Sequence, residues 1–127
     1  MVEIGSNSQL SNKDKSYLHL AMKVAESSCY EMRHGAVIVK GGSVLSVGYN
    51  KQKNNPEIFG DAGGEEARQN STVHAEIDAL SRVSDAKGAI VYVARINKRG
   101  APALSRPCNN CYESLRDAGV KRVVFTD

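Results

Sequence analysis

Ala36-Val37-Ile38-Val39-Lys40-Gly41-Gly42-Ser43-Val44-Leu45-Ser46-Val47-Gly48-Tyr49 is the stretch from which the architecture can be read. Ala36–Val39 is a short, β-branched apolar run. Gly41-Gly42 supplies a tight turn, because residues without Cβ reach φ > 0 at little cost. Val44 to Tyr49 then alternates and returns, so the stretch predicts a β-hairpin. Before it, Ser11 to Ser28 predicts a helix. Ser11 and Asp14 form a capping pattern, and Tyr17, Leu20, Ala21, Val24 and Ala25 fall on one face. Residues 1–10 read as a flexible N-terminal tail. After the hairpin, Asn50 to Val73 is a long polar connection, either one wall of a site or a surface insertion. His74 to Arg82 is again helical, with Ile77, Leu80 and Val83 as the apolar stripe and Asp78, Ser81 and Arg82 as the polar face. Gly88 ends that element, and Ile90 to Ile96 reads as a strand. A basic loop with Lys98, Arg99 and Arg106 follows. A helix beginning near Cys108 runs to Ala118 with Gly119 as its C′ residue, and Arg122 to Thr126 is a last strand. The order α, β, β, α, β, α, β implies a mixed sheet with helices packed on it. The step from Ile90–Ile96 to Val123–Phe125 is expected to be a right-handed parallel crossover.

A chain of 127 residues with 41% hydrophobic and 24% charged content is expected to form a single domain with one core, 1–127. The first ten residues lack a basic region and an apolar run, so no secretory signal is read. The runs Ala36–Val39 and Ala89–Ala94 are far too short to cross a bilayer and read as buried strands. A net charge of +3 falls short of the basic stripe of a duplex binder. Of the 3 cysteines, two share one C-x-x-C, which favours metal ligation in a reducing, cytoplasmic setting over a disulfide framework.

The chemistry is concentrated in His74-Ala75-Glu76 and Pro107-Cys108-Asn109-Asn110-Cys111. One imidazole and two thiolates are the ligand inventory of a catalytic zinc site, which leaves a fourth position for water. Cys108 and Cys111, three apart on a helix, can reach one ion. The free N–H groups and dipole of a helix start are expected to lower their thiol pKa values. Glu76 is two residues from His74, so both can address one centre only from the end of a helix. That suits a carboxylate beside the metal's water, accepting its proton and passing it on to the reacting substrate. Zinc lowers the pKa of such a water towards about 7.

Other readings of the same residues remain open at this point. A structural zinc would need a fourth protein ligand, and Cys29, His34 and His19 are the candidates, none at motif spacing. A redox C-x-x-C would leave His74 and Glu76 without a role. His19 otherwise reads as a surface or satisfied helical residue, and Cys29 as a small buried thiol.

The chain resembles the cytidine/deoxycytidylate deaminase superfamily. The resemblance runs through Gly35-Ala36-Val37-Ile38-Val39, Gly48-Tyr49-Asn50, His74-Ala75-Glu76, Pro107-Cys108-Asn109-Asn110-Cys111 and Val123-Val124-Phe125. It implies an α/β fold, a three-layer α-β-α sandwich of cytidine deaminase-like type. The mixed sheet would have four to five strands, with helices on both faces. It implies Zn²⁺ held by His74, Cys108 and Cys111, with Glu76 as the catalytic proton shuttle. By the same resemblance Asn50 contacts the substrate, and the backbone N–H of Ala75 faces the base carbonyl. The chain departs from the family in three ways. A longer basic loop ends in Ser105-Arg106-Pro107 where relatives often carry Glu-Pro-Cys or Ser-Pro-Cys. The usual fifth strand is missing after the fourth. Residues 51–73 match no substrate subtype.

The function expected is hydrolytic deamination of a small cytosine-containing nucleotide or nucleoside, with deoxycytidylate or cytidine first. Lys98, Arg99 and Arg106 offer phosphate contacts. The alternatives are deamination of a base in RNA or single-stranded DNA, for which 6% aromatics and no Trp leave few stacking platforms, and an idle zinc-stabilised interaction module, against which the intact Glu76 argues. The resemblance also implies a homo-oligomer. No membrane partner is expected.

Overall fold

The computed structural model describes residues 1–28, 32–52 and 72–127. Cys29 and most of the 51–73 connection therefore lie outside the described residues. In chain order the elements are β1 (Val2–Gly5), α1 (Asn12–Ala25), β2 (Arg33–Lys40), β3 (Ser43–Tyr49), β4 (Lys51–Gln52) and β5 (Thr72–Val73). They continue with α2 (Ala75–Leu80), β6 (Ile90–Ile96), β7 (Pro102–Ala103), α3 (Asn109–Asp117) and β8 (Arg122–Phe125).

The hairpin forms as its sequence predicts. β2 and β3 are antiparallel, with Gly35 opposite Tyr49 and Lys40 opposite Ser43. Gly41 and Gly42 turn the chain at φ 61° and 79°, the left-handed pair that a two-residue turn matched to strand twist requires. The main sheet runs β1-β8-β6-β2-β3, with β7 appended to β6. β6 is antiparallel to β2 and parallel to β8, so the expected parallel crossover is present. β4 and β5 form a separate two-stranded ribbon.

Alternation along the central strands divides the core into two layers. Ala36, Ile38, Val91, Val93 and Val123 pack against Ala75 and Ala79 of α2 and Leu115 of α3. Val37, Val39, Tyr92, Ala94 and Val124 pack against Leu18 and Ala21 of α1. Helices thus cover both faces, as the α-β-α reading requires. Removing this apolar surface from water is the main stabilising term, at about 25 cal/mol per Å².

Three expectations need correction. Residues 1–10 are not a free tail. Val2–Gly5 is a strand parallel to β8, with Val2 opposite Arg122 and Gly5 opposite Phe125. Beyond it the Asp127 carboxylate accepts from Ser6 Oγ at 2.8 Å and from the Asn7 N–H at 2.7 Å. The fifth strand, sought after the fourth, comes from the N-terminal side.

The buried face of α1 is also rotated from the expected one. Ser11 caps the helix as predicted, accepting from the Asp14 N–H at 3.1 Å. The buried residues, however, are Asp14, Leu18, Ala21 and Ala25, with Tyr17, Leu20 and Val24 only half-buried at the flank. Asp14 is tolerated inside because Tyr92 Oη and Arg122 Nη2 donate to its Oδ1 at 2.6 and 2.7 Å.

Finally, α2 stops at Leu80, short of Arg82, and Asp78 is buried rather than solvated. α3 ends as expected: the N–H groups of Gly119 (φ 85°) and Val120 return to the carbonyls of Arg116 and Leu115.

Candidate metal centre and cavity

Two helices begin at one point. His74, extended at φ −69° and ψ 151°, is the N-cap residue of α2. Cys108, at φ −68° and ψ 167°, is the N-cap residue of α3. Neither side chain caps its own helix, so both are free to face the space between the two helix starts. The first-turn N–H groups there have no intrahelical acceptor, which makes the spot electropositive and hospitable to thiolate and carboxylate.

His74 Nδ1 lies 3.2 Å from Cys111 Sγ and 3.6 Å from Cys108 Sγ. All three donor atoms fall within 4.8 Å of one another, and theirs is the one metal-ligating cluster found among the described residues. Zinc–nitrogen and zinc–sulfur bonds at a tetrahedral angle place their donors about 3.6 Å apart. The observed spacing fits that ion, and three ligands leave a fourth position open. Cys111 is buried and Cys108 exposed, so the site has an inner wall and an open side. His34 stands nearby but outside the cluster. His19 lies across the sheet on α1, beside a separate cavity with Leu10 and Leu18. Neither closes the site as a fourth ligand.

Glu76 is only 5% exposed. Burial pushes its carboxyl above the usual carboxylate range, opposed by its own backbone N–H, by His74 and by a hydrogen bond with Cys111. The Cys111 thiol is itself pushed up, first by burial and then by the Glu76 charge. Burial therefore outweighs, at Cys111, the lowering of thiol pKa expected at a helix start. Zinc must displace that proton as it binds.

A cavity of about 220 Å³ opens over this floor. It is lined by His74, Ala75, Glu76 and Cys108 from the two helix starts, by Met32, His34 and Asn50 from the start of β2 and the end of β3, and by Ser105 and the exposed Arg106 from the loop before α3. Asn50 is gripped from β2: its Oδ1 accepts from the His34 N–H at 2.8 Å, and its Nδ2 donates to the Met32 carbonyl at 2.8 Å. Arg106 donates from Nε and Nη2 to Oε2 of Glu3, at 3.2 and 2.9 Å. Lys98 and Arg99 sit in the turn between β6 and β7 and are not among the lining residues.

The structure brings together all six residues singled out in the sequence: Asn50, His74, Ala75, Glu76, Cys108 and Cys111. Met32, His34 and Ser105 were not foreseen as lining residues. Arg106 was considered only as one of three basic residues. A signal for His34 existed, since β2 register sets it beside Ala36 and Ile38 on the face that carries α2. No membrane-crossing helix is found: none among the described residues is long and apolar enough.

Residues 11–127 match the family described as the cytidine and deoxycytidylate deaminase zinc-binding region. A riboflavin biosynthesis protein RibD of Aquifex aeolicus is 29% identical over 122 residues, 87% of this chain. The chain spans only 27% of that relative's length. Among solved structures, the deoxycytidylate deaminase of cyanophage S-TIM5, in complex with dCMP and dUMP, superposes with a TM-score of 0.69 at 25% identity. The match covers 92% of this chain and 83% of the phage enzyme. Guanine deaminase of Bacillus subtilis shares the fold at a TM-score of 0.56 and 21% identity, covering 91% of this chain and 64% of that one. With the family match running from residue 11 to residue 127 and taking in both His74-Ala75-Glu76 and Pro107-Cys108-Asn109-Asn110-Cys111, the chain belongs to the cytidine and deoxycytidylate deaminase zinc-binding family.

Proposed function

We propose that the protein is a zinc-dependent hydrolytic deaminase that converts a small cytosine-containing nucleotide or nucleoside, of deoxycytidylate or cytidine type, to its uracil form with release of ammonia. One observation carries the reading: a buried carboxylate, Glu76, stands beside three zinc donors at the floor of a cavity. A structural zinc centre has no use for such a carboxylate, whereas hydrolysis needs one. Zinc bound by His74, Cys108 and Cys111 would supply Lewis acidity that makes water acidic enough to attack at neutral pH. Glu76 takes one proton from the water and delivers it to the ring nitrogen. It then takes the second from the hydroxyl left on the ring carbon and delivers it to the amine as the carbon–nitrogen bond breaks. Its burial raises its affinity for a proton, which favours the uptake.

Ala75 is the first residue of α2, so its backbone N–H lacks a helical acceptor and can meet the base carbonyl. Asn50 lines the cavity from the strand side and is the side chain we assign to contact the substrate. The exposed Arg106 lining the cavity is placed for a phosphate, and the phage relative that binds dCMP supports a nucleotide over a free base. By analogy with the family, the protein acts in the cytoplasm as a homo-oligomer.

The test is turnover by zinc-loaded protein of dCMP, cytidine, cytosine, adenosine and guanine, followed by ultraviolet absorbance. Loss of amine from dCMP or cytidine is expected. Turnover of adenosine or guanine alone, or of none of the five, overturns the small-pyrimidine reading.

A further inference from the structure

Asp78 lies one helical turn beyond His74 and is 7% exposed, although nothing in the zinc chemistry uses it. Its Oδ2 accepts from the Tyr49 backbone N–H at 3.3 Å and pairs with Lys51 Nζ at 3.1 Å. Its Oδ1 accepts from Arg82 Nη2 at 3.1 Å. The same guanidinium reaches back to β3 through Nη1, 2.7 Å from the Val47 carbonyl. Lys51 is held a second time, with its ammonium 4.3 Å from the centre of the Tyr49 ring. The Asp78 N–H donates to the His74 carbonyl at 2.9 Å.

Tyr49 and Lys51 are the residues on either side of Asn50. A single carboxylate on the helix that carries His74, Ala75 and Glu76 thus grips both neighbours of the residue on the opposite cavity wall. We propose that Asp78 is a positioning residue that fixes Asn50 relative to the His74–Glu76 floor. Only the kinetic arm of its test rests on the deaminase reading above. Two cations and an N–H converge on two oxygens, a demand that a carboxylate meets and an amide does not. An Asn at 78 would turn an –NH₂ toward Lys51 or Arg82. Burial makes the grip stiff, because a released partner would leave charge uncompensated in the interior.

A role in stability alone would also explain such a cluster, so the test must separate the two. Asp78→Ala, Asn50→Ala and the double variant are zinc-loaded and assayed with dCMP. Asp78→Ala is expected to lower kcat/KM about tenfold, chiefly through KM, with zinc content unchanged. If Asp78 acts through Asn50, the double variant is no worse than Asn50→Ala within about twofold. Asp78→Asn, which keeps an acceptor for Tyr49, is expected to fall between wild type and Asp78→Ala. Losses that multiply in the double variant overturn the proposal.

The second arm needs no substrate. The Asn50 Nδ2 protons and the Tyr49 N–H are expected to exchange with solvent at least about tenfold faster in Asp78→Ala, while Val37 and Val91 are unchanged. Equal Asn50 rates, or a rise shared equally by Val37 and Val91, overturn it. If wild type turns over none of the compounds, the deaminase reading fails and this exchange arm still decides the role of Asp78.

Discussion

Gly48 of β3 presses directly on the helix that carries the zinc ligand: a Cβ built on it would lie 2.5 Å from the Ala75 carbonyl oxygen. It would also lie 2.4 Å from the Ala79 nitrogen. Both obstacles are backbone, so no rotamer change relieves them. Gly48→Ala is therefore expected to push α2 off the sheet, costing about 1–3 kcal/mol in urea unfolding and lowering turnover as Ala75 moves relative to Asn50. A variant as stable and active as wild type would show that α2 is not seated by this contact.

Glu76→Gln keeps the shape of the side chain and removes its ability to accept a proton from water. Zinc measured by atomic absorption is expected to stay at the wild-type level, while turnover falls by about 10²-fold or more. Loss of the metal instead would make Glu76 a ligand.

Cys111→Ser and treatment with a chelator are expected to act alike, because Cys111 is the buried donor of the three. Metal that binds only the folded state stabilises it by about 2.7 kcal/mol when free zinc is a hundredfold above Kd. A lower melting temperature for both, with no further drop when the variant is chelated, is the expected pattern. A chelator that still lowers the melting temperature of Cys111→Ser would place the stabilising metal elsewhere.

Asp14 makes stability depend on acid. Desolvation raises its carboxyl, but hydrogen bonds from Tyr92 and Ser11, together with Arg122, outweigh it and hold the group below the usual carboxylate range. A folded-state value below the unfolded one gives stability that is complete above the unfolded pKa of about 3.9 and is lost as pH falls through the folded value. Asp14→Asn is thus expected to cost about 1.5–3 kcal/mol at pH 7, and clearly less below about pH 3. An equal cost at both pH values, by chemical denaturation, would assign the effect to packing.

Arg106 is the exposed cation lining the cavity, and Glu3 already occupies part of its fork. Arg106→Ala is expected to raise KM for dCMP about tenfold and leave cytidine nearly unchanged, measured side by side. An equal change for both would exclude a phosphate contact.

What could be read from the chain, and what could not, divides by distance in sequence. The Ser11 cap, the Gly41-Gly42 turn and the Gly119 stop are local chemistry, decided by residues a few positions apart. The meeting of His74, Cys108 and Cys111 was legible because ligand type and spacing are restrictive even when the two motifs are far apart. Val2–Gly5 was missed because its partner is β8, and four residues carry no helical or strand period of their own. Asp14 was read only as part of the helix cap and Asp78 as part of a polar face, because their partners come from other elements: Tyr92 and Arg122 for one, Tyr49 and Lys51 for the other. The rotated face of α1 follows from the same cause, since a buried carboxylate does not register in an apolar pattern. His34 and Ser105 reach the cavity through sheet register and loop path, which no motif encodes.

The pairing of Val2 with Arg122 also has a meaning for how the molecule is made. Translation at about 5–20 residues per second delivers β1 many seconds before the strand that will receive it. In that interval the β2–β3 hairpin can close from neighbouring residues, and β6 can join it. β8 can be added only once α3 has been built, and β1 docks on β8 alone. Closing so long a loop is entropically unfavourable by a term that grows with the logarithm of its length, so it waits for a nearly finished sheet. A strand synthesised before its partner is in this way docked only after that partner is in place.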